Sequence, residues 1–158
     1  MEIIEGTSDH FRSHPLRQSI KGRVRFLAID GSHERDDVVW DLELADECLS
    51  PDGLLAVDDF MSPYNPDVTT AVVEFLDGHA NTDLVPIAIC QISLPMLENG
   101  GPKLFLSRAA RADYYSNGMD LYHPGVGDKT PNFCGHTVKV SAFESEPFKR
   151  RIADYDQV

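Results

Sequence analysis

Two segments define the predicted sheet: Val24-Arg25-Phe26-Leu27-Ala28-Ile29-Asp30-Gly31-Ser32-His33 and Leu54-Leu55-Ala56-Val57-Asp58-Asp59-Phe60. Each segment starts with an apolar run of strand length and then reaches acidic residues. Between them, Glu34–Leu49 places apolar residues three and four positions apart, which predicts one stripe of a helix. A strand, a helix and a second strand in this order predict a parallel sheet with a right-handed crossover.

Further elements continue the alternation of strands and helices. A second helix is predicted at Val68–Asp77, and two strands that could pair antiparallel are predicted at Leu84–Ile89 and Lys103–Ser107. Residues 1–107 are therefore predicted to form an α/β core. Residues 108–158 are predicted to be an irregular extension of the same domain, with one strand at His136–Phe143.

Local patterns predict finer detail. Glu2–Glu5 is a short strand candidate, and the apolar run at Val24–Ile29 is typical of a strand buried on both faces. Ser32 is a plausible N-cap for the first long helix. The residues of Ser50–Gly53 predict a turn.

The composition narrows the function classes. The chain has 158 residues, enough for one domain, and a net charge of −12. Such acidity argues against nucleic acid and against an anionic membrane surface, since both bind basic patches. No apolar run has the length of a membrane span, and the first residues do not resemble a signal peptide. The three scattered cysteines indicate neither a disulfide framework nor a zinc site. We therefore expect a cytoplasmic protein.

The acidic strand ends carry the predicted chemistry. Neighbouring parallel strands end at the same edge of a sheet, so Asp30, Asp58, Asp59 and His33 should meet there. Ionised carboxylates that lie together repel each other unless one takes up a proton or a cation binds, and oxygen ligands suit Mg²⁺. Histidine often accepts a proton in catalysis near neutral pH. In the plainer alternatives Asp30 caps a turn and His33 lies in a solvated helix turn.

The segments Ile29–His33, Leu49–Asp59 and Gly100–Leu106 resemble the C-terminal half of class I S-adenosylmethionine-dependent O-methyltransferases. The similar group is metal-dependent and includes macrolide-sugar and catechol-type enzymes. The resemblance implies a partial Rossmann-like methyltransferase sheet, mostly parallel with an antiparallel terminal hairpin. It also implies methyl transfer from S-adenosylmethionine to a hydroxyl group of a small molecule.

The resemblance also implies roles for individual residues. Asp30, Asp58 and Asp59 would be the metal ligands, with Mg²⁺ as the expected ion. His33 would be the general base, and Gly6-Thr7-Ser8 would lie on the adenine side of the cofactor.

The sequence departs from that family at its start. The family's first strand and its glycine-rich cofactor loop would lie before Glu2. We therefore expect a homo-oligomer or an additional segment N-terminal to Met1, because an incomplete sheet exposes apolar strand edges. The main alternative is a non-catalytic or truncated methyltransferase-like remnant that acts in binding or assembly. A metal-dependent hydrolase and a receiver domain are weaker alternatives, the latter because no apolar strand precedes Asp120.

Overall fold

The computed structural model describes residues 5–78, 82–91, 102–122 and 130–142. Its helices are α1 (Ser8–Phe11), α2 (Pro15–Ile20), α3 (Arg35–Cys48), α4 (Pro66–Gly78) and α5 (Ala112–Tyr122). Its strands are β1 (Val24–Ile29), β2 (Leu49–Val57), β3 (Leu84–Gln91), β4 (Lys103–Arg108), β5 (Asn132–Phe133), β6 (His136–Thr137) and β7 (Lys139–Ala142). The strand expected at Glu2–Glu5 falls almost entirely outside the described residues.

Five strands form the main sheet in the order β1-β2-β4-β3-β7, and β5 and β6 form a separate small ladder. β1 pairs parallel with β2 and β3 pairs parallel with β7, whereas β4 is antiparallel to both of its neighbours. Four strands of this sheet therefore run in one direction and β4 runs in the other. This arrangement confirms the α/β class and the mostly parallel sheet. The hairpin of β3 and β4 is not at the edge as expected, because β7 pairs parallel with β3 on its outer side.

Helices α3 and α4 cover one face of the sheet. The predicted stripes of both helices are buried, and they meet inward side chains of β2 and β4 in one apolar cluster. Leu42, Val72, Phe75, Leu55 and Leu104 are each at most 1% exposed in this cluster. The three- and four-residue spacing of the sequence thus correctly predicted which side of α3 faces the sheet.

Helix α5 packs on the other face, against β3 and β4. Ala112 and Tyr115 join a second apolar cluster with buried residues of β3, and the Tyr115 hydroxyl donates to the Asp52 carbonyl at 2.6 Å. The prediction of an irregular chain after Arg108 was wrong here. The helix contains residues of modest helix propensity, so packing rather than local preference stabilises it.

Strand β1 is not buried on both faces, which corrects the sequence-based expectation. Phe26 is 59% exposed, and Ala28 is also exposed. Within the described part of the chain, β1 has a strand on one side only. On the face that carries Phe26, the contacts of α5 are with β3, β4 and, through Tyr115, β2.

The turn expected at Ser50–Gly53 is instead an irregular part of β2. Between Val24 and Phe26 of β1, the pairing advances on β2 from Leu49 to Leu54, so the extra residues form a bulge. A Cβ at Gly53 would lie 2.5 Å from a Leu49 side-chain atom, which explains why glycine occupies this position. Turn-forming residues thus mark an interruption of the ladder and not the end of a strand.

The N-terminus of α3 also differs from expectation. Its N-cap residue is Glu34, whose side chain makes no capping hydrogen bond. The Ser32 hydroxyl accepts from the Glu34 amide at 3.2 Å, so Ser32 stabilises the loop that leads into the helix. In the ranges that the structure describes, no helix combines the length and apolar character needed to cross a bilayer.

Candidate functional site

The carboxyl ends of β1 and β2 lie side by side. The Asp58 amide donates to the Ile29 carbonyl at 3.0 Å, which fixes the two strand ends in register. Asp30 directly follows β1, and Asp58 and Asp59 directly follow β2. The acidic residues that the sequence places at two separate strand ends therefore share one edge of the sheet.

Three of the predicted residues form a tight cluster. One potential ligand atom from each of Asp30, His33 and Asp59 lies within 4.8 Å of the other two. The His33 Nε2 atom is 2.8 Å from Asp59 Oδ2. Asp59 is buried at 7% exposure, whereas Asp30 and His33 are exposed, so the cluster has one fixed carboxylate and two groups open to solvent.

Asn65 holds the buried carboxylate from a second side. Its Nδ2 atom donates to Asp59 Oδ2 at 3.2 Å, so this oxygen has both the histidine and the amide as neighbours. Sequence reasoning did not single out Asn65, since a lone asparagine in a loop before α4 carries no recognisable pattern. Asn65 reaches Asp59 only because the chain turns between residues 58 and 65.

Asp58 is directed to a different partner. Its Oδ2 atom forms an ion pair with the Lys103 ammonium at the start of β4, and its Oδ1 accepts from the Asp59 amide at 3.1 Å. The structure therefore does not place Asp58 in the cluster with the other predicted metal ligands. Lys103 was missed because its proximity depends on β4 lying next to β2, which the sequence did not reveal.

The turn after β2 is conformationally strained. Asp59 and Met61 have positive φ angles of 56° and 60°, a region that non-glycine residues seldom adopt. Phe60 between them is fully buried and packs edge-on against Phe133 at a centroid distance of 5.2 Å. The Met61 amide donates to the Thr69 hydroxyl at 2.8 Å. Burial of Phe60 thus holds the turn in a shape that directs Asp59 toward His33.

The predicted cofactor segment Gly6-Thr7-Ser8 is connected to the same edge of the sheet by Asp41 of α3, which neighbours both Ser8 and Gly31. The Ser8 side chain hydrogen-bonds to the Asp41 carboxylate, and a Cβ on Gly31 would lie 3.7 Å from Asp41 Oδ2. Burial raises the pKa of Asp41, and the Ser8 hydrogen bond partly opposes this rise. The segment that begins α1 is therefore linked to the loop that follows Asp30.

The donor set determines which ion the cluster would suit. The two carboxylates of Asp30 and Asp59, the first of them exposed, match a hard divalent cation that keeps several water ligands. Mg²⁺ and Mn²⁺ meet this description. A structural zinc site would need four protein ligands of the nitrogen and sulfur type, which this cluster does not provide.

Comparison with known protein families found a match for the first part of the chain. Residues 1–60 match the family model of a methyltransferase domain. This match supports a methyltransferase domain and, in general terms, methyl transfer as the activity. The matched segment contains Asp30, His33, Asp58, Asp59 and Gly6–Ser8, so every residue predicted for the site lies within it. No curated protein and no solved structure matched the chain.

Proposed function

We propose that this chain transfers a methyl group from S-adenosylmethionine to a hydroxyl group of a small molecule, with the help of a divalent cation. The observation that carries the proposal is the cluster of Asp30, His33 and Asp59 at the carboxyl edge of a mostly parallel sheet. Ligands of open α/β sheets bind at this edge. The match of the same segment to a methyltransferase domain supports the reaction type.

Asp30 and Asp59 are the proposed ligands of the cation, which we take to be Mg²⁺. An ion bound to these carboxylates would lower the pKa of a hydroxyl group that it coordinates and hold that group in place. Asp59 is suited to this role because its burial and its contact with Asn65 restrict its movement. Asp58 was part of the ligand set implied by the resemblance, and in our proposal its ion pair with Lys103 keeps it out of the primary set.

His33 is the proposed general base. Its side chain is 43% exposed, so an acceptor molecule can reach the ring, and its contact with Asp59 fixes the orientation of the imidazole. A histidine that is held by a buried carboxylate is a common arrangement for proton abstraction. In the proposed reaction His33 takes the hydroxyl proton as the oxygen attacks the methyl group.

Gly6, Thr7 and Ser8 are the proposed contacts for S-adenosylmethionine, which supplies an electrophilic methyl group. Their link to the site through Asp41 supports this assignment. The proposed partner is a small hydroxyl-bearing molecule. Nucleic acid and membranes are not proposed partners, because the chain is strongly acidic.

The test is formation of S-adenosylhomocysteine with a panel of phenols and sugars, with and without Mg²⁺. We expect product in the presence of Mg²⁺, and we expect His33→Gln and Asp59→Asn to reduce kcat by about 100-fold or more. His136→Gln is the matched control, since His136 is exposed and lies on β6. Equal turnover by wild type and His33→Gln would refute the role of His33. Absence of S-adenosylmethionine binding by calorimetry would refute the proposed cofactor.

A role in binding or assembly is the second candidate. It is favoured by one specific observation, the exposed strand β1 at the end of the main sheet. A chain of this kind would use the sheet as a scaffold and would not need turnover. The two candidates are separable, because an assembly role predicts a partner but no product.

A further inference from the structure

We propose that the outer edge of β1 is the interface through which two copies of this chain associate, with the two β1 strands antiparallel. The inference is independent of methyl transfer, because it uses the backbone of Val24–Ile29 and the charges at the two ends of the strand. Edge strands with unpaired amides and carbonyls readily pair with another chain. The resulting dimer would have one continuous sheet across its twofold axis.

The backbone of β1 shows which groups face outward. The Ile29 carbonyl accepts from the Asp58 amide, so Ile29 and, by alternation, Leu27 direct their polar groups toward β2. Phe26 and Ala28 then direct their amides and carbonyls away from β2. Among the described residues no strand lies on that side. The edge therefore offers hydrogen-bonding groups from Phe26 and Ala28.

The same segment also exposes apolar surface. Phe26 is 59% exposed on the face of the sheet where α5 packs against β3 and β4. Natural edge strands are commonly protected by charges, proline or a covering element. In the part of the chain that the structure describes, no element covers Phe26 and Ala28, and Arg25 is engaged with Asp52 at 3.4 Å. The edge is therefore suited to a partner that covers both the backbone and the phenyl ring.

Charge identifies the partner as a second copy. The strand begins next to exposed Arg23, with Lys21 and Arg25 on either side of it in ion pairs with Glu47 and Asp52, and it ends at exposed Asp30. In an antiparallel pair, the basic end of each β1 lies alongside the acidic end of the other. An isologous twofold interface satisfies this complementarity twice with one surface.

The backbone of β1 also permits a specific pairing register between the β1 strands of the two copies. A twofold axis perpendicular to the sheet keeps each side chain on its own face, so an axis at Leu27 places Phe26 opposite the partner's Ala28. Both of these residues direct their backbone groups outward, as a hydrogen-bonded antiparallel pair requires. The small partner residue leaves room for the Phe26 ring, which becomes covered.

The test is sedimentation equilibrium of the full chain over a range of concentrations, at low and at high salt. We expect a dimer that dissociates more readily as the salt concentration rises, since opposite charges contribute to it. Ala28→Pro removes an outward amide that only the partner uses, and we expect it to weaken the dimer on the order of tenfold or more. Arg23→Glu is expected to weaken it by roughly tenfold, because the charge acts twice.

Two controls keep these results specific. Tyr114→Gln removes another exposed aromatic residue, 69% exposed on α5, and Asp113→Lys reverses an exposed charge on the same helix. Neither control should change the dissociation constant. A monomer at every concentration, or a dimer that Ala28→Pro leaves intact while circular dichroism shows a native fold, would overturn the proposal. Loss of methyl transfer in a normal dimer would concern only the proposed function.

Discussion

Lys103 offers the sharpest test of the candidate cation site. Its ammonium group is 35% exposed and forms an ion pair with the Asp58 carboxylate, one residue before the proposed ligand Asp59. The lysine thus places a positive charge at the residue next to the proposed ligand Asp59 and also occupies a carboxylate that could serve as a ligand. We predict that Lys103→Met increases the affinity for Mn²⁺ or Mg²⁺.

The size of the expected gain in cation affinity follows from the solvent exposure of the ion pair between Lys103 and Asp58. Two unit charges 4 Å apart interact by ~1 kcal/mol in water and by ~4 kcal/mol at an effective dielectric constant of about 20. Because the Lys103 side chain is partly solvated, we take the lower part of this range, about 1.4 kcal/mol. That value corresponds to about tenfold tighter binding. Lys103→Met also frees the Asp58 carboxylate from its ion pair, which should further strengthen cation binding.

The assay is a Mn²⁺ titration followed by electron paramagnetic resonance at constant pH and ionic strength. Lys103→Arg keeps the charge and should bind Mn²⁺ as the wild type does. The double variant Lys103→Met/Asp58→Asn should lose most of the gain, since the released carboxylate is no longer ionised. If Asp30→Asn weakens binding but Lys103→Met does not strengthen it, the reasoning about Lys103 is wrong. If no variant binds Mn²⁺, the cation site itself is wrong.

Three further predictions concern stability. Burial raises the pKa of Asp41, so the folded state favours the protonated carboxyl, and the stability that the protonated form contributes is lost as pH rises through the raised pKa. In urea denaturation, Asp41→Asn should therefore increase the free energy of unfolding at pH 7, and this increase should disappear at acidic pH. Arg108 is 15% exposed and donates to the carboxylates of Asp46 and Asp83 and to two carbonyls, so Arg108→Ala should cost ~1–3 kcal/mol by the same assay, whereas exposed Arg111→Ala should not. Met61 is 60% exposed at positive φ, so Met61→Gly should raise the free energy of unfolding by about 1 kcal/mol, and a lower melting temperature would contradict this.

The sequence predicted the elements that have a strong periodic pattern. The strand at Val24–Ile29 has the predicted bounds, and α3 and α4 differ from prediction by one or two residues at their ends. In each helix the apolar stripe is wide enough to determine the buried face. The helix α5 was missed although Ala112, Tyr115, Met119 and Tyr122 lie three or four residues apart, because its Tyr, Asn and Gly residues have modest helix propensity and its contacts with β3 and β4 are non-local. Sequence reasoning has no access to contacts of that kind.

The candidate site was predictable in position but not in its details. The rule that parallel strands end together placed Asp30 near Asp58 and Asp59 without any knowledge of side chains. Which of the two adjacent acids faces His33 depends on the backbone of one turn, and the positive φ of Asp59 is not visible in the sequence. The domain boundary near residue 107, the cytoplasmic location and the role of each site residue stay predictions.

The strained turn links the fold to the proposed chemistry. Asp58 and Asp59 are neighbours in sequence, yet one carboxylate pairs with Lys103 and the other approaches His33. An extended continuation of β2 would also separate the two side chains, but it would not bury Phe60 in the core. Burial of a phenylalanine stabilises by roughly 1.5–3 kcal/mol, whereas each of the two residues at positive φ, Asp59 and Met61, costs ~1–3 kcal/mol. The apolar core therefore offsets part of the strain that orients the buried carboxylate.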